Sequence, residues 1–172
     1  LEEIPWLRAS INVPINSIAN RRWVSAFDAM VGNEPKPHQR VLVEIDETSA
    51  STLPDLASDF MSEYQSRGIM FAMDNFGSDR TSLKNLVSFH FDFIKVDQYF
   101  VRNIHENADK MVIAKAITAI ANELDAFCIA EKVETASEAA CLKEIGFSLM
   151  QGYFFGEPLY GSTLKHAHPA FL

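Results

Sequence analysis

The sequence predicts an α/β fold in which helices cover a parallel sheet. Two observations predict it: short apolar runs alternate with longer amphipathic segments, and most of the short runs are apolar without interruption, as strands covered on both faces are. Of the 172 residues, 48% are hydrophobic and 22% are charged, which suits one soluble globular domain. We count six strand and helix units, the number that a TIM-like (β/α) barrel lacking its N-terminal strands would contain.

The apolar runs predict six strands, at 10–13, 41–45, 69–73, 93–96, 127–130 and, more weakly, 148–154. Apolar residues recur at helical spacing within 24–31, 53–64 and 112–124, which predicts helices with one buried stripe. Gly68 and Gly146 follow predicted helices where a left-handed residue is favoured, and Thr135 with Glu138 forms a capping box. The segment 32–39, with two prolines, is predicted to be a long loop.

Two architectures remain open at this point. An eight-unit barrel has about 250 residues, so this chain covers five to six units, and the other strands would come from upstream sequence, from another chain or from a rearranged sheet. A flavodoxin-like open sheet needs only five parallel strands. Because the chain begins at Leu1 without an initiator Met, we expect it to be a processed or excised piece of a longer protein.

Charge and cysteine content exclude several function classes. Fifteen Lys and Arg against 23 Asp and Glu give a formal charge of −8, which disfavours binding to DNA or RNA polymers. Cys128 and Cys141 provide neither a disulfide framework nor a zinc-ligand spacing, so the chain is predicted to be cytoplasmic. No segment has the apolar length of a membrane span or the form of a signal peptide, and we expect no direct membrane insertion.

Polar side chains close the predicted strands, where parallel α/β folds place their chemistry. They are Asn12, Glu44, Asp74, Lys95, Glu131 and Gln151. Several carboxylates at one edge require cations, and oxygen ligands without Cys or paired His favour Mg²⁺, Mn²⁺ or Ca²⁺ over zinc. For Lys95, three roles stay open: a structural ion pair, a phosphate contact, or a base with an altered pKa.

Five segments carrying these residues resemble the motifs of the EAL family of bacterial cyclic di-GMP phosphodiesterases. They are Val-Glu-Ile-Asp-Glu-Thr-Ser at 43–49 for LEITES, Met-Asp-Asn-Phe-Gly at 73–77 for DDFG, Phe-Ile-Lys-Val-Asp at 93–97 for the K-I-D strand, Ala-Glu-Lys-Val-Glu-Thr at 130–135 for AEGVET, and Gln-Gly-Tyr-Phe-Phe at 151–155 with Pro158 for QGYYFSKPL. The resemblance runs from about residue 8 to residue 160, in the family's order.

The resemblance implies a single EAL-type domain over 1–172, forming the C-terminal three-quarters of a modified TIM barrel. It implies that two Mg²⁺ or Mn²⁺ ions activate a water for in-line attack on one phosphodiester of cyclic di-GMP. By matched position, the resemblance implies that the metal ligands are Asn12, Glu44, Asp74 and Asn75 and that the catalytic residues are Glu131 and Lys95. It implies that two acids, Glu47 and Glu134, anchor the mobile loop after the DDFG strand. The implied ligand-binding residues are Gln151, Asp97 and Pro158.

Four departures from the family pattern predict impaired catalysis. The glutamate of the motif that names the family has no counterpart here, Asn75 replaces the second aspartate of DDFG, Lys132 stands at the AEGVET glycine, and Asp79 with Arg80 replaces small and aromatic loop residues. Three interpretations follow: a domain kept only for its fold, a cyclic di-GMP receptor or protein-interaction scaffold without catalysis, or residual hydrolysis in a longer parent chain. The sheet edge left by absent strands also predicts a homodimer or an attached signalling domain.

Overall fold

A computed structural model describes residues 8–32, 40–78 and 83–158 of the chain. The chain divides into two compact units, Leu1–Ile94 and Lys95–Leu172. Residues 33–39 of the loop predicted over 32–39 lie outside the described residues, as do the substituted residues Asp79 and Arg80. None of the helices in the described ranges combines the length and the apolar character that a membrane crossing requires.

The first unit contains three parallel strands, each followed by helical segments. In chain order its elements are β1 (Ala9–Asn12), α1 (Ile15–Ile18), α2 (Arg21–Val31), β2 (Val41–Asp46), α3 (Glu47–Thr52), α4 (Pro54–Ser66), β3 (Met70–Phe76) and α5 (Leu83–Ser88). Strand β1 pairs with β2 and β2 pairs with β3, both in parallel. Val43, Ile45 and Phe71 are completely buried, so the two inner strands form the core of this unit.

An aromatic cluster packs α2 and α4 onto this sheet. The Phe60 ring lies 6.0 Å from Phe27 and 5.9 Å from Phe71, between centroids. The Tyr64 hydroxyl donates a 2.7 Å hydrogen bond to Asp28, and burial together with this bond raises the pKa of Tyr64 to about 12. Tyr64 is therefore a structural link between the two helices and stays protonated at neutral pH.

The boundary between the two units lies within strand β4 (Phe93–Val96), and the second unit begins at Lys95. Its further elements are α6 (Gln98–Val101), a 3₁₀ turn (Ile104–Glu106), α7 (Ala108–Glu123), β5 (Phe127–Ala130), α8 (Ala136–Ile145) and β6 (Leu149–Met150). Strands β5 and β6 pair in parallel, with Ala130 opposite Met150. The predicted capping box is present, because Thr135 accepts a hydrogen bond from the Glu138 amide and the Glu138 carboxylate bonds back.

The six predicted strands and the three predicted helices are confirmed, but two strands differ clearly in length. Strand β3 continues to Phe76, three residues past its predicted end at 73. Strand β6 covers two residues rather than the predicted 148–154. The chain turns directly after it, where the Phe155 amide donates to the Gly152 carbonyl at 3.0 Å. The apolar residues after Gln151 belong to this turn, and Tyr153 and Phe154 are exposed. Gly68 and Gly146 both have left-handed backbones, as predicted.

Candidate functional site

In the first unit, strand register brings Asn12 and Glu44 side by side. The two are direct partners in the β1–β2 pairing, and in parallel strands such partners project from the same face. The partner of Glu44 on β3 is Ala72, so Asp74 is the next residue of β3 on that face. Three oxygen donors therefore share one face near the C-terminal ends of three neighbouring strands.

The Glu44 carboxylate is buried and oriented by a neighbour. Glu44 is only 6% exposed, and its Oε1 accepts a hydrogen bond from the Ser10 hydroxyl. Ser10 lies two residues before Asn12 on β1, on the same face of the sheet. A neutral donor of this kind orients a carboxylate but brings no counter-charge of its own.

Asp74 and Asn75 form a local pair inside β3. The Asn75 amide donates to Asp74 Oδ2 at 3.1 Å, and Asp74 Oδ1 is buried. Asn75 has a left-handed backbone, with φ at 58°. An aspartate at position 75 would present a second carboxylate here, whereas the asparagine supplies a donor and removes one negative charge.

In the second unit, Lys95 and Glu131 form a buried ion pair. Lys95 Nζ lies 2.7 Å from Glu131 Oε1, and the two side chains are 6% and 14% exposed. Lys95 is the third residue of β4 and Glu131 follows the last residue of β5 directly. Of the three roles left open for Lys95, the ion pair is therefore present. Because a buried charge is costly without a counter-charge, each partner stabilises the other in place.

The segment 131–135, which we call the Glu131 loop, is bonded to the turn after β6. The Val133 amide donates to the Gln151 carbonyl at 2.9 Å, and the Phe154 amide donates to the Val133 carbonyl at 3.1 Å. A side chain at Gly152 would collide with the Val133 backbone. The two backbone segments therefore approach each other more closely than any residue other than glycine would allow. The Gln151 side chain is exposed at this point.

The other predicted site residues take varied places. Asp97 caps α6 by accepting a 2.8 Å hydrogen bond from the Tyr99 amide, so one of its oxygens has a structural partner. Pro158 is exposed near the end of the described chain. Glu47 begins α3, but its side chain lies outside the described part of the structure. Glu134 is half-buried and is bound by Arg102, a residue that the sequence did not indicate.

Glu138 was predicted as a helix cap, yet its contacts extend further. It is fully buried and accepts hydrogen bonds from the amides of Asn103, Glu134 and Thr135 at 2.8, 2.9 and 3.0 Å. Burial raises the pKa of this carboxyl, but these backbone hydrogen bonds outweigh burial, and the net pKa is lowered. The capping-box spacing was the available signal, and it carried no information on the contact with Asn103.

The residues of the first unit fit a hard divalent ion by their chemistry. Across the described ranges, no group of three or more His, Cys, Asp and Glu side chains is arranged to hold a metal. Asn12, Glu44 and Asp74 contribute two carboxylates and one amide oxygen, a set that Mg²⁺ and Mn²⁺ accept. Cys128 and Cys141 are free, and burial raises the pKa of the Cys128 thiol to about 12. Soft-metal chemistry through a Cys128 thiolate is therefore disfavoured.

Comparison with known proteins identifies similar sequences and folds. The Escherichia coli (strain K12) cyclic di-GMP phosphodiesterase PdeR is 31% identical over 166 residues, covering 96% of this chain and 25% of PdeR. The manganese and cyclic di-GMP complex of Klebsiella pneumoniae BlrP1 has a TM-score of 0.78 at 30% identity, covering 88% of this chain and 39% of that one. The EAL domain of Mycobacterium smegmatis DcpA has a TM-score of 0.84 at 25% identity, covering 92% and 71%.

The structural matches decide between the two architectures that the sequence left open, in favour of the TIM-like fold of EAL domains. The chain spans only a quarter of PdeR, so the match concerns one part of that protein. The family model described as "EAL domain" matches residues 2–158, which is most of the chain. This protein therefore belongs to the EAL domain family.

Proposed function

We propose that this chain binds cyclic di-GMP at an EAL-type site and that its metal-dependent phosphodiesterase activity is weak. The observation that carries the proposal is the buried Lys95–Glu131 pair at 2.7 Å in a chain of this family. Two similar proteins support the choice of cyclic di-GMP as the ligand: PdeR is a cyclic di-GMP phosphodiesterase, and BlrP1 was solved in complex with manganese and cyclic di-GMP.

The proposed roles follow the family motifs and the chemistry of each side chain. Asn12, Glu44 and Asp74 would hold a divalent ion, which, when bound, neutralises phosphodiester charge and lowers the pKa of a water. Glu131 would orient the attacking water, and the Lys95 ammonium would stabilise the negative charge of the phosphodiester electrostatically. Hydrolysis would add one water across one phosphodiester and give the linear dinucleotide. Gln151, Asp97 and Pro158 would contact the ligand, and the family motifs give Glu47 and Glu134 the role of loop anchors.

Weak activity is proposed because of Asn75. Its amide is neutral, and it donates to Asp74 Oδ2 at 3.1 Å, so this site offers a metal one anionic group fewer than a DDFG motif does. Transition-state stabilisation by a bound ion is worth several kcal/mol, so loss of one ligand costs orders of magnitude in rate.

A second candidate function is a cyclic di-GMP receptor or interaction scaffold without hydrolysis. The observation that favours it is the same ion pair, since the Lys95 ammonium supplies a counter-charge to the Glu131 carboxylate from within the protein. Binding through such a site would not depend on turnover. This candidate and the weak enzyme therefore predict the same ligand and differ in the product.

The test incubates the whole chain with cyclic di-GMP in Mn²⁺, in Mg²⁺ and in EDTA, and separates linear dinucleotide by anion-exchange chromatography. Calorimetry in Ca²⁺ measures binding without relying on turnover. We expect slow product formation that requires Mn²⁺ or Mg²⁺, and saturable binding in Ca²⁺.

The variant Glu131→Gln serves as the loss-of-function variant, and Glu123→Gln, an exposed glutamate at the end of α7, is the matched control. Product formation should be lost in the first and unchanged in the second. Binding without product at high protein concentration would establish the receptor, whereas absence of both binding and product would overturn the proposal.

We also propose a cytoplasmic setting, supported by the two free thiols, Cys128 and Cys141. Dimerisation or association with another signalling domain remains a prediction.

A further inference from the structure

The Glu131 loop is fixed at its far end as well as beside β6. The amides of Glu134 and Thr135 donate to Glu138 Oε2 at 2.9 and 3.0 Å. The other oxygen of the same carboxylate accepts from the Asn103 amide at 2.8 Å. One buried carboxylate therefore connects the Glu131 loop to the connection that follows β4 and α6.

A second contact joins the same two segments. The Arg102 guanidinium donates to both oxygens of Glu134, at 2.7 and 2.6 Å. This bidentate geometry uses the planar fork of arginine, which a lysine ammonium lacks. Arg102 and Asn103 are adjacent, as are Glu134 and Thr135, so side-chain and backbone contacts act on the same two short segments.

The backbone of Arg102 is itself held in place. Its amide donates to the Gln98 carbonyl at 2.8 Å, and its carbonyl accepts from Lys110 Nζ at 2.7 Å. Helices α6 and α7 thus both fix the base of the arginine side chain. The guanidinium reaches Glu134 from a defined position.

The connection bearing Arg102 begins directly after β4, which carries Lys95, and the Glu131 loop begins directly after β5. The Lys95–Glu131 pair therefore lies at the point where the two connections start, and the Arg102–Glu134 contact lies further along both. We propose that Arg102 is a positioning residue for the site: through Glu134 it fixes the Glu131 loop and so keeps the Glu131 carboxylate oriented against Lys95. This inference rests on the proposed function.

Exposure separates this role from a general contribution to stability. The Arg102 and Glu134 side chains are 48% and 33% exposed, whereas Glu138 is fully buried. An exposed ion pair contributes little to global unfolding. Replacing Arg102 should leave the fold intact while loosening the loop, whereas replacing Glu138 would affect both.

The test compares Arg102→Met with wild type by amide hydrogen exchange and by calorimetric titration of cyclic di-GMP in Ca²⁺. We expect exchange of the Glu134 and Thr135 amides to rise about tenfold, with an unchanged midpoint of urea unfolding. Affinity for cyclic di-GMP should fall about tenfold, because small displacements of a positioned group are costly. The charge reversal Arg102→Glu with Glu134→Arg should recover part of both effects.

The matched control is Arg67→Met in the first unit, which also removes an arginine paired with carboxylates, Asp28 at 3.0 Å and Glu63. It should alter neither loop exchange nor affinity. Unchanged exchange in Arg102→Met, or faster exchange with unchanged affinity, would overturn the inference. Failure of the wild-type chain to bind cyclic di-GMP would instead overturn the proposed function, and it is detected before any substitution is made.

Discussion

At the scale of single residues, Asn75 combines two properties that bear on the site. Its backbone is left-handed, a conformation that Asn and Asp tolerate better than most residues. Its side-chain amide donates a hydrogen bond to Asp74, which an ionised carboxylate could not do. The substitution therefore trades an anionic ligand for a hydrogen bond within the strand.

We predict that Asn75→Asp makes the protein more dependent on metal. Without metal, two adjacent carboxylates repel, and the melting temperature should fall by roughly 2–4 °C for a loss of about 1 kcal/mol. With millimolar Mn²⁺ the variant should gain more in melting temperature than wild type, and its turnover of cyclic di-GMP should rise. Asp125→Asn, the converse exchange at an exposed left-handed residue, is the control and should show no metal response. An identical Mn²⁺ shift in Asn75→Asp and wild type would contradict the prediction.

Lys132 also has a left-handed backbone, with φ at 54°, and its side chain is exposed. The cost of this conformation for a residue with a Cβ is roughly 1–2 kcal/mol. We predict that Lys132→Gly raises the free energy of unfolding by about 1 kcal/mol, measured by urea denaturation. Lys132→Ala keeps the Cβ and should give no gain. Equal midpoints for the two variants would show that backbone strain is not the cause.

At the scale of elements, the N-terminus of α8 concentrates much of the polar order of the second unit. Glu138 caps the helix, binds two amides of the Glu131 loop and reaches Asn103. Its carboxyl has a lowered pKa because these amides stabilise the ionised form more than burial disfavours it. Helix capping and loop placement are thus performed by one side chain.

We predict that Glu138→Gln destabilises the protein in a pH-dependent manner. The folded pKa lies below the unfolded value of about 4.3, so the carboxylate contributes stability fully above that value and loses it as the pH falls through the folded pKa. At pH 7 the loss should be about 2–4 kcal/mol, and the difference from wild type should shrink as the pH is lowered below about 5. Glu144→Gln, an exposed residue of the same helix, controls for charge. A difference that stays constant between pH 7 and pH 3.5 would refute this account.

The elements themselves were largely predictable from sequence, and their side-chain contacts were not. Strands β2 and β4 appear as apolar runs because both of their faces are largely covered, a pattern that needs no knowledge of partners. Strand β5 has the same apolar composition, although its Phe127 is exposed. The motif residues Asn12 and Glu44 could be expected at neighbouring strand ends for the same reason. The Arg102–Glu134 contact spans 32 positions between an exposed and a half-buried charged residue, and no local pattern indicates such a pair. The apolar turn after β6 resembles a strand in composition, and only its backbone bonding shows otherwise.

At the scale of the whole molecule, β1 is an edge strand of the described sheet. It pairs with β2, and the described residues place no strand on its other side. The amides of Ala9 and Val13 donate toward β2, to Arg40 and Glu44, so the intervening Ser10 and Asn12 amides face the open edge. Unpaired edges of this kind promote association between chains.

We predict that the chain dimerises through β1, which light scattering after gel filtration would show as a species of twice 19.3 kDa whose fraction rises with concentration. Ser10→Pro removes an edge-facing amide without removing a backbone hydrogen bond between β1 and β2, and it should shift the population to monomer. Ser10→Ala loses the same hydroxyl but retains the amide, and it should remain dimeric. A wild-type chain that is monomeric at every concentration would contradict the prediction.

The contact between Gly152 and Val133 has a consequence for how this protein can be altered. Since the space beside the Val133 backbone is filled by the glycine itself, even one added methyl group must act as a wedge that separates the turn after β6 from the Glu131 loop. Gly152→Ala would therefore disrupt the second unit at one defined backbone contact, without adding or removing any charge.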